Sequence, residues 1–388
     1  MTQTMFTEPE ERVALREAVK KLASKYGREY VEKQAREGGK MTEMWLEMGR
    51  NGFLGVNIAE EHGGGGGGMA DLAAVLEESA AAGAPLLMMV VSPAICGSII
   101  SRCGTEEQKQ RWLPGIADGS HLMAFGITEA DAGSNSHQIT TTATRDGDQW
   151  VIKGQKTFIS GVDEAQSVLI VSRTEDARTG KLKPALFVVP TDAPGFTKQP
   201  IPMSWQAPEK QFTLFLDDVR VPADALVGDE DGGLWQLFAG LNPERIMAAA
   251  FNIGLGRYAL DKAVAYAKER AVFKTPIGAH QAIAHPLAQA HIEIEMARLM
   301  NQKAAALFDA GDEFAAGEAA NMAKYASAEA ACHAVDAALQ THGGNGASQE
   351  YGIASLLVAT RVGRIAPVSR EMILNFVAMH SLGLPKSY

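Results

Sequence analysis

Apolar positions along the chain fall into three regimes. From Glu10 to about Gly119 they recur at three- and four-residue steps, as in "LREAVKKLASKY" and "MADLAAVLEESAAAG", which predicts amphipathic helices. From about Met123 to Val227 they form short alternating or β-branched runs. "TTTATRDGDQWVIKG" sets an Asp-Gly turn between two such runs and predicts a hairpin; "SVLIVSR", "PALFVVP" and "FTLFLDDVRVP" read as further strands. From Leu234 the helical step returns, with long helices predicted from Ile246, Gln281 and Glu313. One of these helices ends at "LQTHGGNG", with Gly343 as its C-cap. Segregated helices and strands make the fold class α+β. The changes of pattern divide the chain into an N-terminal helical domain (1–121), a middle β domain (122–230) and a C-terminal helical bundle (231–388).

Two stretches sharpen this outline. "PLLMMVVSPAICGSII" is strongly apolar but short and broken by Pro93, so it reads as a buried helix pair and not as a membrane span. "GLNPERIMAAAF", residues 240–251, reads as a helix start: Asn242 is able to cap, Pro243 fits the first helical position, and Glu244 lies where the helix dipole favours negative charge. Glu244 is then either a dipole-complementing residue or a catalytic base.

Composition narrows the function. The 388 residues are 46% hydrophobic and 21% charged, which suits a folded chain. A formal net charge of −10 and the lack of a basic run argue against nucleic-acid binding. Cys96, Cys103 and Cys332 show no paired spacing, so no disulfide or zinc framework is expected. The first residues carry no apolar signal core and no arginine-rich presequence, and the expected location is cytoplasmic.

Most local motifs are weak. Gly63–Gly68 matches a glycine-rich phosphate loop only trivially; no Lys-Ser/Thr follows, and it reads as a turn. "GLG" at 254–256 lies inside a helical period. His280, His285 and His291, with Glu295 near the last, lack metal-ligand spacing and read as a solvated helix face, so no metal is expected. The acids of "GVDEAQS" read as solvated loop carboxylates, and no G-x-S-x-G elbow is present. "FGITEADAGSNS" crowds Thr128, Gly133, Ser134 and Ser136 between the helical and β regions. It is either a plain loop or a segment offering hydroxyls and backbone N–H groups to a polar ligand.

Taken in order, these segments resemble the acyl-CoA dehydrogenase family over nearly the whole chain. "GFLGVNIAEEHGGGG", "AFGITEADAGSNS", "WVIKGQKTFIS", "FLDDVRVPADALVG", "ERAVFKTPIGAHQAI" and "LQTHGGNGASQEY" are similar to successive family motifs. The resemblance implies an acyl-CoA dehydrogenase-like fold: an N-terminal helical domain, a middle β-barrel domain and a C-terminal four-helix bundle, assembled as a homotetramer. It implies FAD as cofactor, an acyl-CoA thioester as substrate, and an electron-transferring flavoprotein as partner. Carried over by position, Phe125, Ile127, Thr128, Gly133 and Ser134 would contact FAD, as would Phe158 and Ser160, which stand where the family has Trp and Thr. Arg270, Phe273, Gln281, Gln340, Gly343 and Gly344 would hold the adenine and pyrophosphate end across a subunit interface. Ser134, Asn242 and Arg245 match substrate-binding positions.

The family's reaction needs a carboxylate base. Many members carry it in a late Y-E-G-T motif, but "RVGRIAPVSREMILNF" puts Arg370 at that place, and an arginine is never a base. Isovaleryl-CoA and long-chain members place theirs one helix earlier, in an "x-x-ER" segment that "NPER" matches, which implies Glu244 as the base, with Glu371 the alternative. The missing motif and Phe158 also leave open a same-fold flavin enzyme with altered chemistry, a flavin monooxygenase or a nitroalkane-type oxidase. A catalytically inactive binding protein is the third reading.

Overall fold

The computed structural model describes residues 7–176, 178–205, 207–230 and 233–386. Residues 1–6, part of the segment read above for targeting signals, lie outside the described residues. Among the described residues six α-helices come first: α1 (Glu10–Ala23), α2 (Gly27–Glu37), α3 (Thr42–Arg50), α4 (Met69–Ala81), α5 (Ser98–Cys103) and α6 (Glu106–Asp118). Seven strands follow among the described residues: β1 (Met123–Gly126), β2 (Thr142–Asp146), β3 (Gln149–Ser160), β4 (Ser167–Glu175), β5 (Leu182–Pro190), β6 (Phe196–Ile201) and β7 (Gln211–Pro222). The chain then returns to helices: α7 (Gly233–Glu269), a small hairpin of β8 (Ala271–Val272) and β9 (Thr275–Pro276), α8 (Gln281–Asp309), α9 (Glu313–His342), α10 (Leu356–Val362) and α11 (Arg370–Phe376). No helix among the described residues is long and apolar enough to cross a membrane.

The contacts divide the chain into two compact units. Of the described residues, one takes in those up to Lys33, Gly68–Leu86 and those from Arg245; the other takes in those of Gln34–Gly67 and Leu87–Glu244. In the second unit β4 is the organising strand. It pairs with β5 antiparallel along its whole length and, on its other edge, parallel with β1 and with the start of β2. β2, β3, β7 and β6 continue the sheet antiparallel. β4 is buried on both faces, which is why the centre of "SVLIVSR", Val168 to Val171, is unbroken apolar sequence. The β2–β3 hairpin turns through Gly147 and Asp148, with Gly147 at φ +64° as the first loop residue; Asp146 still pairs with Gln149, so the loop lies one residue beyond the expected Asp-Gly pair.

In the first unit, alanines dominate the helix contacts. Ala259, Ala263, Ala290, Ala297, Ala334 and Ala338 are all buried between α7, α8 and α9, where small side chains bring helices close. Gly254 and Gly256 belong to the same scheme. A Cβ on Gly254 would lie 2.4 Å from Ala80 Cβ, and one on Gly256 3.2 Å from Ile294 Cδ1. They are packing notches within a helix, as their period suggested.

Two helix readings are corrected. "PLLMMVVSPAICGSII" is one helical run and not a pair: Val90–Gly97 is a π-helix that continues directly into α5. A proline in an α-helix lacks a donor and clashes with the carbonyl four residues back; the wider π turn accommodates Pro93 without ending the helix. Likewise α7 starts at Gly233, and Pro243 lies inside it. Asn242 is therefore no cap. Glu244 sits about three turns into the helix, beyond the reach of the dipole at its N-terminus.

Candidate functional site

The "FGITEADAGSNS" segment leaves β1 and is fastened to β3. Thr157 N–H donates to Thr128 O at 2.9 Å. The fully buried Lys156 donates from Nζ to Ile127 O at 3.1 Å and to Glu129 Oε1 at 2.8 Å. Glu129 also accepts from the backbone and hydroxyl of both Thr140 and Thr141. Although burial works against the anion, these donors and the ammonium hold its carboxyl down to about 2. Neither Glu129 nor Lys156 was singled out from sequence; the available signal was a charged residue in an otherwise alternating strand.

Beyond this anchor the surface opens. Gly133 and Ser134 are exposed, and nothing lies within 4 Å of where a Gly133 Cβ would point. Phe125 is buried, and Ile127 and Thr128 are half-buried. β3 is irregular between Lys156 and Ile159, and Phe158 at that point has φ +57° with 57% of its surface exposed. A bulky aromatic at positive φ is a strained arrangement of the kind kept at binding sites. Ser160 Oγ donates to Gln211 Oε1 at 3.0 Å. Hydroxyls, an open glycine and an exposed ring on one loop-and-bulge surface fit the edge and face of a flavin.

The same unit positions Glu244. Gly240, one turn earlier on α7, lies against the helical run before and within α5: a Cβ there would meet Ile99 Cδ1 at 2.6 Å and Ile95 Cγ2 at 3.0 Å. Between those isoleucines, Cys96 is wholly buried and contacts Ala124 O of β1 at 3.5 Å. Burial pushes its thiol well up, and the charge of Glu244 adds to this. The π segment is thus the common neighbour of Glu244 and β1. Glu244 itself is half-buried, Asn242 is buried, and Arg245 follows half-buried in the same helix.

The second group of sequence-derived residues lies in the other unit. Arg270 and Gln281 flank the β8–β9 hairpin, whose tip residues Phe273 and Lys274 have φ +53° and +69°. Phe273 is 91% exposed. Gln340 is in the last turn of α9, and Gly343 caps that helix with φ +57° and ψ −134°. A Cβ on Gly343 or Gly344 would meet nothing within 4 Å, so the backbone there is open to a ligand.

The late helical region holds no dry carboxylate at the alternative base position. Arg370 is paired with Glu329 at 3.2 Å and lies over Tyr325, and Arg364 donates to the same Glu329 at 2.7 Å. Glu371 is exposed.

Other motifs resolve structurally. The N–H groups of Gly63 to Gly67 all donate to backbone carbonyls of residues 55–60, so none is left for a phosphate. Among the described residues no His, Cys, Asp and Glu group is arranged to hold a metal ion. The loop carboxylates of "GVDEAQS" are not simply solvated: burial, with Glu209 and Asp163 nearby, pushes Glu164 up to about 7, against the pull of Lys40 and Lys210.

Comparison with known proteins identifies the family and the fold. The acyl-CoA dehydrogenase N-terminal, middle and C-terminal domain profiles match residues 9–120, 124–219 and 231–382. The chain is 65% identical over 388 residues, all of both chains, to acyl-CoA dehydrogenase FadE12 of Mycobacterium tuberculosis (strain ATCC 25618 / H37Rv). A structure described as the electron transferring flavoprotein of Acidaminococcus fermentans superposes with TM-score 0.91 at 28% identity, covering 98% of this chain and 100% of that one. A glutaryl-CoA dehydrogenase from Mycobacterium smegmatis in complex with FADH2 superposes with TM-score 0.89 at 25% identity, covering 98% of this chain and 96% of the other.

Proposed function

The chain belongs to the acyl-CoA dehydrogenase family, FAD-dependent oxidoreductases of acyl-CoA thioesters, and on that premise we propose that it desaturates its thioester between Cα and Cβ with Glu244 as the base. The observation that carries the assignment is the contrast among three positions. Glu244 is half-buried beside the wholly buried Cys96, Arg370 is a paired cation, and Glu371 is exposed. An α-proton next to a thioester is weakly acidic, so its base needs surroundings that disfavour the carboxylate. The π segment sets the buried Cys96 beside Glu244, whereas Glu371 is exposed.

Bound FAD supplies the two-electron acceptor for the β-hydrogen. The protein's part is placement and proton transfer. Phe125, Ile127, Thr128, Gly133, Ser134, Phe158 and Ser160 hold the flavin end. Arg270, Phe273, Gln281, Gln340, Gly343 and Gly344 hold the adenine and pyrophosphate end, with Arg270 giving charge-assisted bonds to phosphate. Ser134, Asn242 and Arg245 orient the thioester, and Glu244 takes its α-proton. The product is the trans-2-enoyl-CoA.

An electron-transferring flavoprotein receives the electrons in this reading, and the chain works as a homotetramer. Support for self-association comes from α8, where Ile292, Met296 and Leu299 form an exposed apolar stripe on one helix face. The test is anaerobic. The purified protein should show a flavin band that bleaches when saturated acyl-CoA thioesters are added. A yellow protein that stays oxidised with every thioester, or that consumes oxygen in turnover, contradicts the reading.

A further inference from the structure

Behind the open glycines that end α9 stands a small aromatic cluster. His342, the last residue of the helix, stacks on Tyr266 of α7 with ring centroids 4.4 Å apart and 27° between planes. Tyr351 meets both rings edge-on, at 5.8 Å from Tyr266 and 5.5 Å from His342. One amide closes the group: Asn345 Nδ2 donates to Tyr266 Oη at 3.0 Å and to Tyr351 Oη at 3.4 Å. His342 Nδ1 lies 2.7 Å from Ala338 O; a carbonyl only accepts, so the ring's proton sits on Nδ1 and its orientation is fixed.

The cluster joins two pieces of backbone far apart in sequence. His342 directly precedes Gly343. Tyr266 lies one turn before Arg270, whose N–H donates to Tyr266 O at 2.9 Å. Ile277 N–H then donates to Arg270 O at 2.8 Å, closing the base of the hairpin that carries Phe273. Gly343 and Gly344 have no side chains of their own to hold a shape, and Gly343 uses a conformation other residues avoid. Something beside them has to define the ledge.

We propose that Asn345, acting through Tyr266 and Tyr351, is a positioning residue that sets the Gly343–Gly344 ledge against Arg270 for the diphosphate of the cofactor. This rests on the reading that the ledge and Arg270 hold the adenine and pyrophosphate end of FAD. A site whose supporting groups lock its geometry binds tightly because little order is lost on binding. Without the amide, the two hydroxyls lose their shared donor and the glycines are free to sample other conformations.

The experiment follows FAD release from the full-length holoenzyme on dilution, by the rise of free-flavin fluorescence. Asn345→Ala should release FAD about tenfold faster than the parent, the loss expected of one or two neutral hydrogen bonds. The effect should vanish when Asn345→Ala is made on a Tyr266→Phe, Tyr351→Phe background, which already lacks both acceptors. With excess FAD present, kcat and the KM for acyl-CoA should match the parent, a split that general damage to the fold would not give. Gln340→Ala, which removes a direct cofactor contact in the proposed site, is the reference. If it speeds release while Asn345→Ala stays within about twofold of the parent, the positioning role is wrong and the cofactor reading stands. If neither variant alters release, the ledge is not at the cofactor and both fall.

Discussion

Lys156 Nζ and Glu129 Oε1 are 2.8 Å apart, one on a fully buried strand position and the other on the loop that carries Thr128, Gly133 and Ser134. The pair decides where that loop sits. Lys156→Met would leave an anion buried without its cation, at a cost of about 3–5 kcal/mol. Urea unfolding should show that loss, and the variant should be purified with less flavin than the parent.

Glu129 also sets an acid limit. Its folded-state carboxyl is held near 2, below its unfolded value of 4.5. The folded protein therefore gives up the proton more readily than the unfolded chain. This contribution to stability is present above pH 4.5 and is lost as the pH falls toward 2. In Glu129→Gln the thermal midpoint should fall less steeply across that window than in the parent.

Glu164 works in the opposite sense. Burial raises it from 4.5 to about 7, so between those values the folded protein keeps a proton that the unfolded chain releases. Its contribution is full below pH 4.5 and is lost as the pH rises through 7. Its partner Glu209 is raised by burial as well. Glu164→Gln should flatten the decline of the thermal midpoint between pH 5 and 8; an unchanged slope would place the coupling elsewhere.

Gly254→Ala reverses the usual helix preference. Alanine in a helix interior is favoured over glycine by about 1 kcal/mol. Here the added carbon would sit 2.4 Å from Ala80 Cβ and 2.5 Å from Glu77 O, in the notch between α7 and α4. Overpacking costs about 1–3 kcal/mol, and two close contacts, one with backbone, put this case at the upper end, so net destabilisation is expected in a denaturant titration.

Cys96 is sealed in the π segment, and both its burial and the Glu244 charge disfavour the thiolate. A thiol reagent should leave it unlabelled in the native protein and modify it only on unfolding, as mass spectrometry of the labelled peptides would show.

Local chemistry made some elements legible and left others hidden. α8 and α9 begin at Gln281 and Glu313, where the apolar period alone places them, and a hairpin forms at the Asp-Gly signal with its loop one residue on, at Gly147 and Asp148. α7 was misread because Asn-Pro-Glu is also what a true helix start looks like; only the packing of Gly240 against Ile95 and Ile99 shows the helix already running. The Glu129–Lys156 pair joins residues 27 apart, and the nearness of Cys96 to Glu244 depends on tertiary packing between two helices. No local pattern encodes either.

The most direct test of the account is the rate of anaerobic flavin reduction in Glu244→Gln, mixed with a thioester that bleaches the parent. Replacing a general base should slow that step by roughly 10²–10⁴-fold while the protein keeps its yellow colour and still binds the thioester. Flavin reduction at the parental rate would contradict Glu244 as the base.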